Sequence, residues 1–309
     1  MPEIIDTTYS AMATFRDCRQ KYKHRYVDLI EKDRDDPPAL WIGSLVHDCL
    51  EMYHQGVPLG EILDFIQARR VSGDEKNWIQ CAAIMTAYER QYPFGEDEFE
   101  VITLEDEFHG PLINPETNHK STTMRLAGKV DGLIRYPDGE YAILEHKTTS
   151  MDPVKYTASL WSDFQTRFYC QEYGRFKDIK IRKALFNIIK KSGIKGRKGE
   201  SEEDRIARMA DDIKFRRYLL SFDPTLIDEI STQVWELKDN MQQAARTGKY
   251  YKNESQCRHA FGGMCDYYDY CSSGMNPIVR NSMYRKRRAA NTELAGKKEN
   301  HVTNCTDPA

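Results

Sequence analysis

The five residues Tyr136-Pro137-Asp138-Gly139-Glu140 constrain this 309-residue chain more tightly than any other feature. Alternating apolar and polar residues run into them over 123–136 and out of them over 141–147, the pattern of two strands with one buried face. Proline presets the first turn position, Asp accepts from the local backbone, and Gly takes the left-handed conformation. This is the chemistry of a three-residue hairpin loop. The loop length fixes the register and sets Asp131 opposite Glu145. A two-residue loop would set Asp131 against His146 and put the two carboxylates on opposite faces. Lys147, two residues beyond Glu145, shares its face, and His146 points to the other.

Two carboxylates side by side repel each other, and the arrangement is costly unless a cation or a proton sits between them. A hard divalent ion such as Mg²⁺ is the natural occupant. It acidifies bound water, while Lys147 orients the nucleophile or offsets charge growing on a phosphate. The plainer alternative is a solvated Glu-x-Lys pair contributing roughly 0–1 kcal/mol. Ala142-Ile143-Leu144 argues against it, because a charge triplet ending a buried strand needs a reason.

Around this hairpin the periodicity predicts helices over 8–31 (Ser10 as N-cap), 40–55, 59–70 and 74–91, then a strand over 99–108. Beyond it come a helix over 159–176, a strand over 182–190, a Gly- and Lys-rich stretch, and helices near 202–219 and 225–247. From about Met275 the chain is polar and weakly patterned, with Arg285-Lys286-Arg287-Arg288 its landmark, and reads as a tail. The fold class is α/β: a central mixed sheet carrying Asp131, Glu145 and Lys147, flanked by helices. Four segments follow: a helical 1–92, a central 93–190, a helical and cysteine-bearing 191–274, and a flexible 275–309.

A net charge of −3 excludes a globally basic nucleic-acid binder. A local basic surface is not excluded, since 177–217 holds fourteen Lys/Arg against seven Asp/Glu. Phe186, Phe215 and Tyr218 lie among these charges, either to stack on unpaired bases or to fill a core. No window reaches the ~18 apolar residues of a membrane span. The N-terminus lacks a basic n-region and an apolar h-region, so no membrane partner and a cytoplasmic location are expected. Gly193-Ile194-Lys195-Gly196 lacks Walker spacing, so any ATP-driven unwinding belongs to another protein.

Of eight cysteines, Cys49, Cys81 and Cys170 sit in helix-like apolar patterns and read as small buried hydrophobes. Cys257, Cys265 and Cys271 cluster where packing alone would not ask for three thiols. Three thiolates need a fourth to close a tetrahedral zinc site or a cubane iron–sulfur cluster; free buried thiols are the simpler alternative.

Taken together, these elements resemble the PD-(D/E)xK nucleases, in the RecB-like branch that includes CRISPR-adaptation exonucleases and many phage nucleases. The resemblance runs from Tyr9 to Cys271: Tyr9-Ser10 with Cys18 and Tyr22, then Gly43-Ser44-Leu45-Val46-His47, Gly128-Lys129-Val130-Asp131-Gly132, Glu145-His146-Lys147-Thr148, Gln165-x-x-x-Tyr169, and the late cysteines. Val130 stands where the family's name has proline. The resemblance makes 93–190 the nuclease core and implies Mg²⁺ or Mn²⁺ held by His47, Asp131, Glu145 and the main-chain carbonyl of His146. His47 is otherwise a satisfied core histidine. Lys147 would aid attack, with Gln165 and Tyr169 steadying the site and the DNA backbone; a surface Gln–Tyr pair, or Tyr169 in the core, is their alternative. Glu105 or Glu107, on one strand face, may be read as an accessory carboxylate, and the sequence does not choose between them.

For the cysteines, the resemblance supplies Cys18 as the fourth ligand, with Cys257, Cys265 and Cys271, of a 4Fe-4S cluster; zinc is the competing occupant. The first gap is longer than the family's usual two residues. The expected activity is metal-dependent hydrolysis of DNA, as an exonuclease on single strands or ends in recombination, repair or phage DNA processing, in the host cytoplasm if phage-encoded. A structure-selective or nicking endonuclease, or a non-catalytic DNA-binding scaffold of a helicase or recombination complex, are the alternatives.

Overall fold

The computed structural model describes residues 4–34, 38–70, 75–258 and 263–294. Its strands are β1 (Ile5–Thr7), β2 (Ile30–Lys32), β3 (Glu100–Ile113), β4 (Lys120–Arg135), β5 (Tyr141–Thr149), β6 (Ile181–Lys190), β7 (Lys214–Ser221) and β8 (Tyr284–Lys286). Its α-helices are α1 (Tyr9–Asp17), α2 (Arg19–Tyr22), α3 (Pro38–His54), α4 (Leu59–Gln67), α5 (Glu75–Gln91), α6 (Pro153–Thr157), α7 (Phe164–Phe168) and α8 (Gly174–Lys177). They continue with α9 (Glu202–Asp212), α10 (Pro224–Thr247), α11 (Tyr268–Ser272) and α12 (Pro277–Met283). The chain is α/β, with a mixed sheet flanked by helices. Contacts divide it into two compact units. One holds Met1–Arg34, Glu107–Lys129 and Gln233–Ala309; the other holds Asp35–Asp106 and Val130–Thr232. Among the described residues no helix is long and apolar enough to cross a membrane.

The hairpin forms with the loop its residues ask for. The Tyr136 N–H donates to the Glu140 carbonyl at 2.9 Å, and the Gly139 N–H to the Tyr136 carbonyl at 2.9 Å. The Asp138 carboxylate accepts the Glu140 N–H at 2.9 Å, and Gly139 sits at φ 86°. β4 pairs antiparallel with β5 in the register Gly132–Leu144 to Arg135–Tyr141, so the next facing pair is Asp131 and Glu145. β5 lies parallel to β6, with Glu145 beside Phe186 and Lys147 beside Ile188.

In the larger unit, α3, α4, α5 and α9 bury one apolar mass that includes Val46, Leu50, Ile62, Ile84 and Tyr88 and reaches Ile189 of β6. α3 also packs on β5, which brings His47 to the sheet. In the other unit, β2 pairs antiparallel with β8. Beneath them Ile30, Tyr267 and Tyr284 form a small core bordered by Cys265 and Cys271.

Four expectations change. Residues 8–31 are not one helix. Thr8, not Ser10, caps α1 by accepting the Ala11 N–H, Cys18 is extended (φ −159°) between α1 and α2, and a π-helical stretch, Lys23–Val27, follows. The expected helix over 159–176 is a 3-10 turn (Leu160–Ser162), α7, a π-helical stretch (Tyr169–Tyr173) and α8. The expected helix over 202–219 stops at Asp212, and Lys214–Ser221 is strand β7, antiparallel to β6. An unpaired β6 edge would leave backbone donors and acceptors without partners, and helical propensity yields to that demand. Finally, the stretch read as a tail from Met275 carries α12 and β8 as far as it is described; 295–309, with Cys305, lie outside the described residues.

Candidate metal centre

Asp131 anchors the site. Its Oδ2 accepts the main-chain N–H of His146 at 2.8 Å, and its Oδ1 lies 3.4 Å from Nδ1 of His47. His47 Nδ1 is also 3.9 Å from Oε1 of Glu105. The ligand atoms of His47, Glu105 and Asp131 all fall within 4.8 Å of one another, an arrangement able to hold a metal ion. Two backbone features bring Glu105 in. Glu105 is left-handed (φ 46°), which breaks the alternation of β3 at this residue. Gly132 lets β3 approach, since a Cβ there would stand 3.3 Å from the Thr103 carbonyl oxygen.

The break in alternation separates the two glutamates that a regular strand would place on one face. Glu105 joins His47 and Asp131, whereas Glu107 is exposed and belongs to the other compact unit. A left-handed Glu has no marked sequence signature, so nothing in the composition of β3 singled it out.

Glu145 is 2 % exposed. Its Oε1 accepts from Nζ of Lys147 at 2.5 Å, and its Oε2 is buried with no hydrogen-bond partner. Burial pushes the Glu145 carboxyl up; Lys147 opposes this and the Asp131 charge adds to it. Burial would also push Asp131 up, but the His47 charge and hydrogen bond, with His146, hold it below the usual carboxylate range. Burial lowers His47, yet Asp131, Glu105 and Glu145 outweigh it and keep the imidazole protonated well past neutrality. Lys147 is likewise held charged by Glu145 against its own burial. Asp131 is thus held toward its ionised form, while burial favours the neutral form of Glu145.

Gln165 and Tyr169 share a helical face as their spacing predicts. The Gln165 side chain hydrogen-bonds the buried Tyr169 hydroxyl, which senses the charges of Glu145, Asp131 and Lys147. Asp163 caps α7, accepting the Gln165 N–H and the Thr166 hydroxyl, both at 3.0 Å. Its carboxylate acts on both Glu145 and Lys147, and the Tyr156 hydroxyl senses the same pair. Sequence reasoning missed Asp163 and Tyr156; Asp before a short apolar-led helix is an N-cap signal, but it gave no hint of the site.

His146 points away from Glu145, into a buried polar chain. Its Nδ1 lies 2.9 Å from the Asn187 amide nitrogen, which donates to the Tyr88 hydroxyl at 3.3 Å. Tyr88 also meets Arg217 at 3.1 Å and His54 at 3.2 Å, and Arg217 pairs with Asp97. The basic stretch is therefore partly neutralised: besides Arg217, Lys177 pairs with Asp106, Lys183 with Glu140 and Arg208 with Glu200. Of the aromatics within it, Phe186 is core, and Phe215 is half-buried and packs on Tyr88 and Tyr92.

The three late cysteines and Cys18 fall in one compact unit. Cys18 Sγ accepts the Asn253 N–H at 3.4 Å, the Cys265 N–H donates to the Cys257 carbonyl at 2.9 Å, and Cys271 Sγ lies 3.7 Å from Nε2 of buried His24. Burial pushes the Cys271 thiol up to about 11, with Lys252 opposing and the charges of Cys265, Cys18 and Cys257 adding to it. Burial raises the Cys265 thiol too, with Lys21 opposing. Among the described residues no three of these thiols lie within 4.8 Å of one another. Cys49, Cys81 and Cys170 are buried, as their apolar settings predict.

The family model described as the PD-(D/E)XK nuclease superfamily matches residues 6–272. The chain belongs to that superfamily. A solved structure named "Putative exonuclease" from Eubacterium rectale is 13 % identical over 85 % of this chain and 86 % of its own, with a TM-score of 0.46. The solved structure of SSO0001 is 15 % identical over 77 % of this chain and 78 % of its own, with a TM-score of 0.29. No curated protein matches.

Proposed function

We propose that this member of the superfamily is a divalent-metal-dependent deoxyribonuclease of the RecB-like branch, acting as an exonuclease on single strands or DNA ends. The observation that carries the reading is the buried, unpartnered Oε2 of Glu145 beside Asp131. A carboxylate oxygen without a donor, next to a second carboxylate, is costly unless a cation completes it. The donor set fits a hard ion: carboxylate oxygens and one imidazole, which releases its proton on binding, suit Mg²⁺ or Mn²⁺.

His47, Glu105, Asp131, Glu145 and the His146 carbonyl would hold that ion. When bound it supplies Lewis acidity and a more acidic water. The residues themselves divide the remaining work. Lys147, kept protonated by Glu145, places a positive charge where a phosphate oxygen gains negative charge. Asp131 is oriented by the His146 N–H and stays ionised, ready to ligate. Tyr169, hydrogen-bonded by Gln165, would steady the site and the DNA backbone.

The cysteines are read as holding a 4Fe-4S cluster. Zn²⁺, which takes four thiolates in a tetrahedral site, is the competing occupant. Lys21 and Lys252 favour the thiolates such a group needs. Bound there, the cluster would tie Cys18 to the C-terminal cysteines.

The test is degradation of end-labelled single- and double-stranded DNA by wild type and Lys147→Ala, with Mn²⁺, Mg²⁺ or EDTA. Wild type is expected to shorten labelled strands with either metal and not in EDTA, and the variant to lose at least about 100-fold. Equal degradation by the two proteins rejects the mechanism.

A further inference from the structure

The chain leaving β5 after Lys147 carries an unusual exposed side chain. Trp161 is 63 % exposed, whereas Trp78 is buried and Trp41 and Trp235 are half-buried. Leaving an indole in water forgoes one of the larger burial gains available to a side chain. The exposure is built in. Leu160, 3 % exposed, anchors the 3-10 turn Leu160–Ser162. At three residues per turn, neighbours in that turn point about 120° apart, so burying Leu160 holds Trp161 outward. The turn is closed by the Ser162 N–H and hydroxyl on the Ser159 carbonyl (3.2 and 2.8 Å) and by the Asp163 N–H on the Leu160 carbonyl at 3.1 Å.

The position of this turn gives the exposed ring a purpose. Tyr156 precedes it and Asp163 follows it, and both side chains act on Lys147 and Glu145. The Cα atoms of Trp161 and Asp163 are at most ~7 Å apart, and the π-helical stretch Tyr169–Tyr173 that follows α7 packs on β5, the strand of Glu145. α6, which leads into the turn, packs on β6 and β7, so the segment is braced against the sheet that carries Glu145. Lys155, on the same short helix, is exposed as well. An exposed flat ring and an exposed ammonium on one segment that leads from the proposed nuclease centre match a nucleotide whose base is free to stack.

We infer that Trp161 is a positioning residue: an unpaired nucleobase stacks on its indole while a neighbouring phosphate of the same strand lies at the Asp131–Glu145 centre. The inference rests on the nuclease reading and adds to it a condition on the substrate, that the strand beside the scissile phosphate is unpaired. A paired base would present only its edge to this ring.

The experiment measures binding apart from cleavage. In a Lys147→Ala background with EDTA, an oligothymidylate of about twelve nucleotides and a blunt duplex of the same length are titrated against Trp161→Ala, Trp161→Tyr and the unaltered position. Tryptophan fluorescence and anisotropy of a labelled oligonucleotide are both followed. Trp161→Ala is expected to weaken single-strand binding about 5- to 100-fold, the range for losing one stacked base. Trp161→Tyr should restore most of it, and duplex binding should be unchanged across the set. Fluorescence quenching by the single strand should vanish in both variants.

Equal single-strand affinity for Trp161→Ala and its parent, equal losses for single strand and duplex, or a parent that does not bind the single strand overturns the inference. Wild type that binds through Trp161 but never cuts overturns only the nuclease reading. Wild type that cuts, with Trp161→Ala cutting and binding identically, overturns only the stacking role.

Discussion

The main-chain N–H of His146 donates to Oδ2 of Asp131 at 2.8 Å, at the point where the β4–β5 ladder gives way to side-chain chemistry. One carboxylate oxygen thus has a structural task while its partner faces His47. The two tasks separate on mutation. Asp131→Asn keeps an acceptor for the N–H, whereas Asp131→Ala leaves it unpaired in a buried setting. Both variants should lose metal-dependent cleavage. In EDTA, Asp131→Ala should be less stable than Asp131→Asn by ~1–3 kcal/mol, read by urea denaturation. Equal stabilities would show that the bond carries no weight.

Glu105 is held in the left-handed region at the centre, a placement that costs of order 1 kcal/mol for a residue with a Cβ. Glu105→Gly removes both the strain and one carboxylate. Without metal its melting temperature should match or exceed that of wild type. With Mn²⁺ at a hundredfold over Kd, wild type should gain ~2.7 kcal/mol of stability and the variant markedly less. A variant less stable than wild type in EDTA would mean that Glu105 stabilises the fold rather than serving the site.

His54 makes one contribution of definite sign to the pH dependence, opposite to those of His47 and Glu145, whose raised pKa values favour the folded chain as pH falls. Burial lowers its pKa from 6.5 to about 4, against the opposing pull of Asp97. The unfolded chain therefore binds a proton that the folded chain refuses. Its stabilising contribution is complete above pH 6.5 and is lost as pH falls toward 4, amounting to ~3 kcal/mol at most. His146, also lowered by burial, adds in the same direction. Denaturation in EDTA at pH 7.5 and pH 5 should show His54→Gln losing less stability on acidification than wild type. An unchanged slope in His54→Gln would remove His54 from the account.

Gly139 occupies φ 86°, and a Cβ there would meet nothing within 4 Å. Gly139→Ala therefore isolates backbone strain from crowding and should cost ~1–2 kcal/mol. Because the turn sets the register that aligns Asp131 with Glu145, cleavage should fall when the hairpin frays near the melting temperature. Full stability in the variant would show that the turn conformation is not a constraint.

Cys18 tests the iron–sulfur reading without reference to catalysis. Anaerobically purified wild type should be brown and carry about four irons per chain, the content of one cubane. Cys18→Ser should lose most of the iron. Stoichiometric zinc in a folded, colourless wild type would replace the cluster with a zinc site.

How much of this was legible depends on the range of the forces involved. The hairpin was, because Pro137, Asp138 and Gly139 fix their own dihedral angles within a few residues, and the register of β4 on β5 follows from them. The burial of Cys49, Cys81 and Cys170 was too, since each sits in a helix-like apolar pattern. β7 was not, because Lys214–Ser221 has no strong strand signature and becomes a strand through the open edge of β6. Nor was the helix break at Cys18, or the pairing of Tyr284–Lys286 with Ile30–Lys32.

The sequence by itself determined that an aspartate and a glutamate face each other across a tight turn beside a lysine, because turn chemistry and strand periodicity act locally. Only the tertiary structure decided that His47 and Glu105, distant along the chain, complete that pair, that Glu107 does not, and that Trp161 stays in water. Those outcomes depend on helix packing, on one left-handed residue and on the burial of Leu160. Each is set by contacts between segments that do not specify one another until they meet.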